Sequence, residues 1–223
     1  MCFSAEASFI AGTVLSGVGI ATIRRSQQRF QLFFSSIPLL FGIQQIAEGF
    51  LWLSLLNDNF ALFKAPSSLI FLSFAQILWP IWVPLSILLL EENKKFVKIL
   101  SILFLIGFIV SAYLAYRLYF AYISAEIVGH HISYNIGISN TSILILSPLY
   151  FVATVMPAFF SSIKRMWFLG FLILLSYIIT KIFFENYVIS IWCFFGAIIS
   201  ISVYSIINKT YRTPQKEIST SIY

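Results

Sequence analysis

Seven long apolar blocks, separated by short polar turns, constrain this chain more than any other feature. They cover residues 7–23, 30–56, 67–90, 96–123, 141–160, 167–184 and 187–207. A helix needs roughly 17–25 apolar residues to cross about 30 Å of hydrocarbon, and every block is long enough. Membrane β-strands would be shorter and would alternate apolar with polar residues, which these blocks do not. Only 10% of the 223 residues are charged and 60% are hydrophobic, whereas a soluble domain carries about 25% charged residues. The expectation is an all-α polytopic membrane bundle of seven transmembrane helices. Residues 1–207 would form its single domain and 208–223 a flexible cytoplasmic tail.

The basic residues set an expected orientation. Arg24, Arg25, Arg29, Lys94, Lys95, Lys98, Lys164, Arg165, Lys209, Arg212 and Lys216 fall on one side of a seven-helix alternation, and only Lys64, Arg117 and Lys181 on the other. The rich side is the cytoplasmic one, so the N-terminus is expected outside and the C-terminus inside. Glu6 precedes the first block and Arg24 and Arg25 follow it, the reverse of a cleavable signal, so an uncleaved first helix is expected. The net charge of +6 sits in turns between apolar blocks. No basic groove of the kind nucleic acid requires is formed.

Glu48 lies inside the second block with Gln44, Gln45 and Trp52 on the same helical stripe. An ionisable group within a membrane segment is costly and marks a candidate site, here as a catalytic base or proton carrier. Gln76 and Trp79 of the third block reach a similar depth, and Arg117, Tyr134, His130 and His131 fall at the outer end. Cys2 and Cys193 fall in the same half. Three readings of these residues stay open. Cys2, Glu48, His130 and Cys193 could ligate one zinc or copper ion. Cys2 and Cys193 could form a disulfide. Or the thiols and imidazoles share no role. Arg117 reads best as a snorkelling interfacial residue. The inner half is expected to hold almost no buried polar chemistry, and residues 57–66 and 124–140 are expected to be loops. Pro80 and Pro84 should kink the third helix.

Met1-Cys2-Phe3-Ser4-Ala5, Gln44-Gln45 with Glu48-Gly49 and Trp52, Trp79-Pro80 with Pro84, Gly129-His130 with Ile132 and Tyr134, and Trp192-Cys193-Phe194-Phe195 occur in this order. In these strings the chain resembles an uncharacterised bacterial family of multi-pass membrane proteins that begin MCFSA. The resemblance implies about seven helices in a bacterial inner membrane. It favours His130 over His131 and carries no catalytic role. A retinal protein would need a lysine in residues 187–207, and there is none. Ceramidase-like membrane hydrolases need more helical histidines than the two here. The expected function is a membrane protein with an outward polar pocket, in contact with membrane lipids, formed by Gln44, Gln45, Trp52, Gln76, Trp79, Arg117 and Tyr134 around Glu48. It would be a metal-dependent enzyme acting on a lipid or small molecule. The alternative is a small-molecule binding, sensing or transport protein, suggested by Pro38, Pro80, Pro84, Pro148 and Pro157.

Overall fold

The computed structural model describes residues 4–120, 123–129, 131–137, 140–183 and 196–210. The first block is helix α1 (Ala5–Ile23), begun by Ser4, whose hydroxyl accepts the Ala7 N–H at 3.2 Å. The second block breaks at Ser36 into α2 (Gln31–Ser35) and α3 (Ile37–Leu56). Pro38 falls in the first turn of α3, where a missing N–H leaves no intrahelical bond unmade. α1 and α3 run antiparallel, with Phe9 against Gly49 and Gly19 against Leu39. Their backbones come so close that a Cβ at Gly19 would lie 2.4 Å from the Leu39 nitrogen. Small residues permit such an approach, and dispersion between the backbones then holds the pair together.

Residues 57–66 are not the expected loop. Asn57 caps a 3-10 helix (Asp58–Phe63) by accepting the Asn59 N–H, and α4 (Lys64–Leu72) follows directly. Pro66 lies in the first turn of α4, where helix N–H groups have no partner to lose. A π-helical turn (Ser73–Leu78) then leads into α5 (Trp79–Leu88), with Pro80 at its start and Pro84 inside it. The π turn interrupts regular α-helical bonding just ahead of the two prolines expected to kink this helix. The Trp79 N–H reaches back to Phe74 O, and Pro80 has no N–H. Ala75 O therefore loses both nearby helical donors, and the Tyr150 hydroxyl supplies the bond instead, at 2.5 Å. Ile77 O accepts from Ser111 Oγ at 2.8 Å.

Helix α6 (Lys94–Phe120) leads to two antiparallel strands, β1 (Ser124–Val128) and β2 (His131–Asn135). Residues 124–140 therefore hold a hairpin, and the all-helical expectation is amended there. Gly129 turns it with φ +64, a left-handed conformation that costs glycine little. Alternation places Ala125, Ile127, Ile132 and Tyr134 on one face, and that face packs on the bundle. A lone two-stranded hairpin is marginal in water, so burial of this face keeps it formed. Burying Ile132 alone contributes about 1.5–3 kcal/mol.

The chain continues through α7 (Asn140–Val155), a 3-10 turn (Met156–Phe159), α8 (Lys164–Phe183) and α9 (Gly196–Thr210). Five helical spans are long and apolar enough to cross a membrane: Ala5–Ile23, Gln31–Leu56, Asp58–Leu88, Lys94–Phe120 and Lys164–Ile182. Leu144–Phe159 and Ile199–Asn208 are shorter apolar helices. Of the expected tail, residues 211–223 lie outside the described residues.

The hairpin covers one end of the bundle, beside Ala5, Leu51, Trp52 and Phe71. The opposite end carries the turns with Arg24, Arg25, Lys94 and Lys164. Two contacts draw that end together. Arg25 Nη1 donates to Asn208 Oδ1 at 3.3 Å. Glu91, 7% exposed, accepts from the Asn93 N–H (2.9 Å), the Ser162 N–H (2.7 Å) and the Ser162 hydroxyl (2.5 Å). Burial would raise the Glu91 pKa, but the bonds from Ser162, Asn93 and Ser161 outweigh it and hold the carboxyl below its ordinary range. Gln31, Thr22, Ser35 and Ser86 are also buried toward this end. The expectation of an almost apolar inner half is thus corrected: local backbone and hydroxyl partners make such groups inexpensive to bury.

Candidate functional site

Helix α3 organises the site because its polar stripe is fully enclosed. Gln44 and Glu48 have no exposed surface, and Gln45 and Trp52 are almost as buried. Gln45 Nε2 donates to Glu48 Oε2 at 3.1 Å. A carboxylate only accepts, so the Gln45 NH2 must turn toward it, and Oε1 points elsewhere. Gln44 Oε1 accepts from Trp79 Nε1 at 2.9 Å, and the Trp79 ring stacks on Phe41 with centroids 4.0 Å apart. Trp82 is spent on structure, its indole donating to Phe33 O at 2.9 Å.

Two other elements carry further buried polar side chains. Gln76 lies four residues after Leu72 and three before Trp79. Gln76 is buried on the π turn, and Trp79, which follows it, bonds Gln44 of α3. Ser8 lies between Ala5, which packs with Trp52, and Gly12, which lies against Gly42 and Ile46. It is completely buried. Four of these buried atoms have no hydrogen-bond partner among the described residues: Ser8 Oγ, Gln45 Oε1, Trp52 Nε1 and Gln76 Oε1. A buried polar atom left unpaired costs about 1–3 kcal/mol, and native structures hold few of them. Four such atoms occur on α1, α3 and the π turn: Ser8 on the first, Gln45 and Trp52 on the second and Gln76 on the third.

Above the site, Tyr134 of β2 stacks on Phe71 with centroids 5.2 Å apart and planes 9° from parallel. Tyr134 belongs to both clusters that join the hairpin to the helices. Arg117, near the end of α6, donates to Gly137 O just past the hairpin, and its Nε is buried. It thus fastens the far end of the hairpin. His131 is on the strand face opposite the packed one.

The structure draws Gln44, Gln45, Glu48, Trp52, Gln76 and Trp79 to one region, with Tyr134 over it. Of the four expected metal ligands, Cys2, His130 and Cys193 lie outside the described residues. Among the described residues, no three His, Cys, Asp or Glu side chains come together. Ser8, Ser111 and Tyr150 were not singled out from the sequence. Ser8 had a signal in the spacing Ser8, Gly12 and Gly19 on one face of α1. Ser111 and Tyr150 had none, because their role depends on which carbonyls the π turn leaves bare.

These features define a class: a helical bundle with five spans long and apolar enough to cross a membrane, and a buried polar cluster under a β-hairpin. The chain belongs to a family of unknown function, DUF6629, whose model matches residues 1–218. No curated protein and no solved structure matches it.

Proposed function

We propose that this is a multi-pass protein of the bacterial inner membrane that holds a small polar ligand in the Glu48 pocket, beneath the hairpin. The single observation that carries this reading is the set of four unpaired, buried polar atoms on α1, α3 and the π turn, two of them on the helix of Glu48. The two shorter apolar helices complete seven spans, with the N-terminus outside, the basic end cytoplasmic and the pocket opening outward. Membrane lipids contact the outer surface, where Ile10, Leu105, Phe108, Leu144 and Ile182 are exposed.

Detergent-purified protein should be stabilised by small polar solutes, with the response lost in Gln76→Leu and in Glu48→Gln. Thermal unfolding followed by tryptophan fluorescence measures this. If the unpaired atoms are only a cost of folding, an apolar Gln76→Leu side chain removes that cost. A Gln76→Leu protein that melts higher than wild type, in a protein indifferent to every solute, would refute the reading.

A metal-dependent activity on a lipid or small molecule is a second reading, with Cys2, Glu48, His130 and Cys193 as ligands to zinc or copper and Glu48 as base. One observation favours it. Ala5 and Ile132, which neighbour Cys2 and His130 in sequence, share a cluster with Trp52, one helical turn from Glu48. Elemental analysis should then find about one metal ion per chain, absent from Cys2→Ser and His130→Ala. A metal-free protein retires this reading and leaves the binding reading intact.

A further inference from the structure

The basic end of the bundle holds two cationic turns in a fixed relation to each other. Glu91 lies in the turn before α6, and Ser162 in the turn before α8. The buried Glu91 carboxylate accepts the Ser162 N–H at 2.7 Å and its hydroxyl at 2.5 Å, and so fastens the two turns together. Exposed cations stand on both sides of this joint: Lys94, Lys95 and Lys98 at the start of α6, and Lys164 and Arg165 at the start of α8. Against Glu91 and Glu92 these five cations leave a net charge of +3. Membrane orientation depends on how many cations a short loop carries, and a loose loop serves as well as a fastened one. The helix dipole disfavours cations in a first turn, and neither helix has an acid there. Neither orientation nor helix stability explains why the two turns are fastened together.

The exposed faces that run on from the cations do point to a partner. Lys94, Lys98, Ile102, Leu105 and Ile109 recur every three or four residues, so they share one face of α6, and all are exposed. Lys164, Phe168, Phe171 and Leu175 repeat the pattern on α8. Both helices are among the spans long and apolar enough to cross a membrane. From Lys98 to Ile109, and from Lys164 to Leu175, the helix rises about 16 Å, close to half of roughly 30 Å of hydrocarbon. Each face is therefore a cation followed by an apolar strip one leaflet deep. A phospholipid has the same order and length, phosphate first and acyl chain after. A zwitterionic headgroup brings its own ammonium, which the net positive charge repels. A soluble phosphate meets the cations and leaves the strips without a partner.

Resting only on the membrane-spanning part of the reading above, and not on the Glu48 pocket, we propose that the Glu91–Ser162 joint organises a binding site for an anionic phospholipid. Its phosphate meets the cations of the two joined turns, and its acyl chains lie along the exposed faces of α6 and α8.

Full-length protein is taken from nanodiscs of equal parts phosphatidylglycerol and phosphatidylcholine, and the lipids it retains are counted by native mass spectrometry. Retained phosphatidylglycerol should exceed phosphatidylcholine by about fivefold or more. Lys94→Gln combined with Lys164→Gln should bring the ratio near parity. Arg24→Gln combined with Arg29→Gln removes the same charge from the turn after α1 and should leave the ratio unchanged. Glu91→Gln weakens the joint while making this end more positive, so the proposal expects a severalfold fall where charge alone expects a rise. Ser162→Ala, which keeps every charge and loses the hydroxyl bond, should lower the ratio in the same direction. Parity in the wild-type protein overturns the proposal. Equal falls in the two double variants, or a rise in Glu91→Gln with no change in Ser162→Ala, overturn it in favour of unlocalised charge. Stabilisation against heat by inorganic phosphate equal to that by phosphatidylglycerol overturns the lipid as ligand. None of these outcomes bears on the Glu48 pocket, which the solute and Gln76→Leu measurements test separately.

Discussion

Replacing Gly107 by alanine tests the packing that supports the site. Pro84 has no N–H, so the carbonyl of Pro80, four residues earlier, lacks its helical donor. Gly107 of α6 packs directly on that bare carbonyl. An added Cβ would lie 1.8 Å from the Pro80 oxygen and 2.8 Å from its carbon. Contact distances below 3.0 Å are essentially unknown for real Cβ atoms, so α5 and α6 must part by about 1.2 Å. The obstacle is backbone, which cannot swing aside as a side chain would. Ser111 lies one turn further along α6, and its 2.8 Å bond to Ile77 O would stretch out of range. Overpacking costs about 1–3 kcal/mol, and the lost bond adds about 1 kcal/mol. For a chain of this size an apparent Tm about 6–12 °C lower is expected in Gly107→Ala. Gly17→Ala is the matched control. Nothing lies within 4 Å of its Cβ position, and the helical preference of alanine over glycine favours it by up to about 1 kcal/mol. Both proteins are purified in one detergent and melted side by side. Equal melting temperatures for the two variants would refute the argument.

Two further substitutions separate the π turn from the basic end. Tyr150→Phe leaves Ala75 O buried without its donor and should cost about 1–3 kcal/mol; an unchanged Tm would mean that the π turn keeps another donor for that carbonyl. Glu91→Gln cannot accept both the Ser162 N–H and hydroxyl bonds as a carboxylate does, so it should lower the Tm at neutral pH. The folded pKa of Glu91 lies below its unfolded value, so its contribution is complete above the unfolded pKa and is lost as pH falls through the folded one. The gap between wild type and Glu91→Gln should therefore close on acidification, and a gap that widens would reverse the assignment.

Much of the architecture was legible before any coordinates. Apolar block length reports on the thickness of hydrocarbon a helix can span, and that is a local property of the chain. The same logic marked Glu48, because a carboxylate among apolar residues is conspicuous without any partner. Pro80 and Pro84 marked where helical bonding changes, since a proline removes its helical donor wherever it stands. The hairpin escaped notice because its alternation spans five residues per strand, and the packed face is settled by contact with Ala5 and Trp52. Glu91 lies in one of the short polar turns, and Ser162, the partner that helps bury it, is 71 residues away in the chain. The unpaired set of Ser8, Gln45, Trp52 and Gln76 is also a tertiary fact. Each residue alone reads as an ordinary polar side chain on a helix. Only the packing of the helices on one another removes water from all four together.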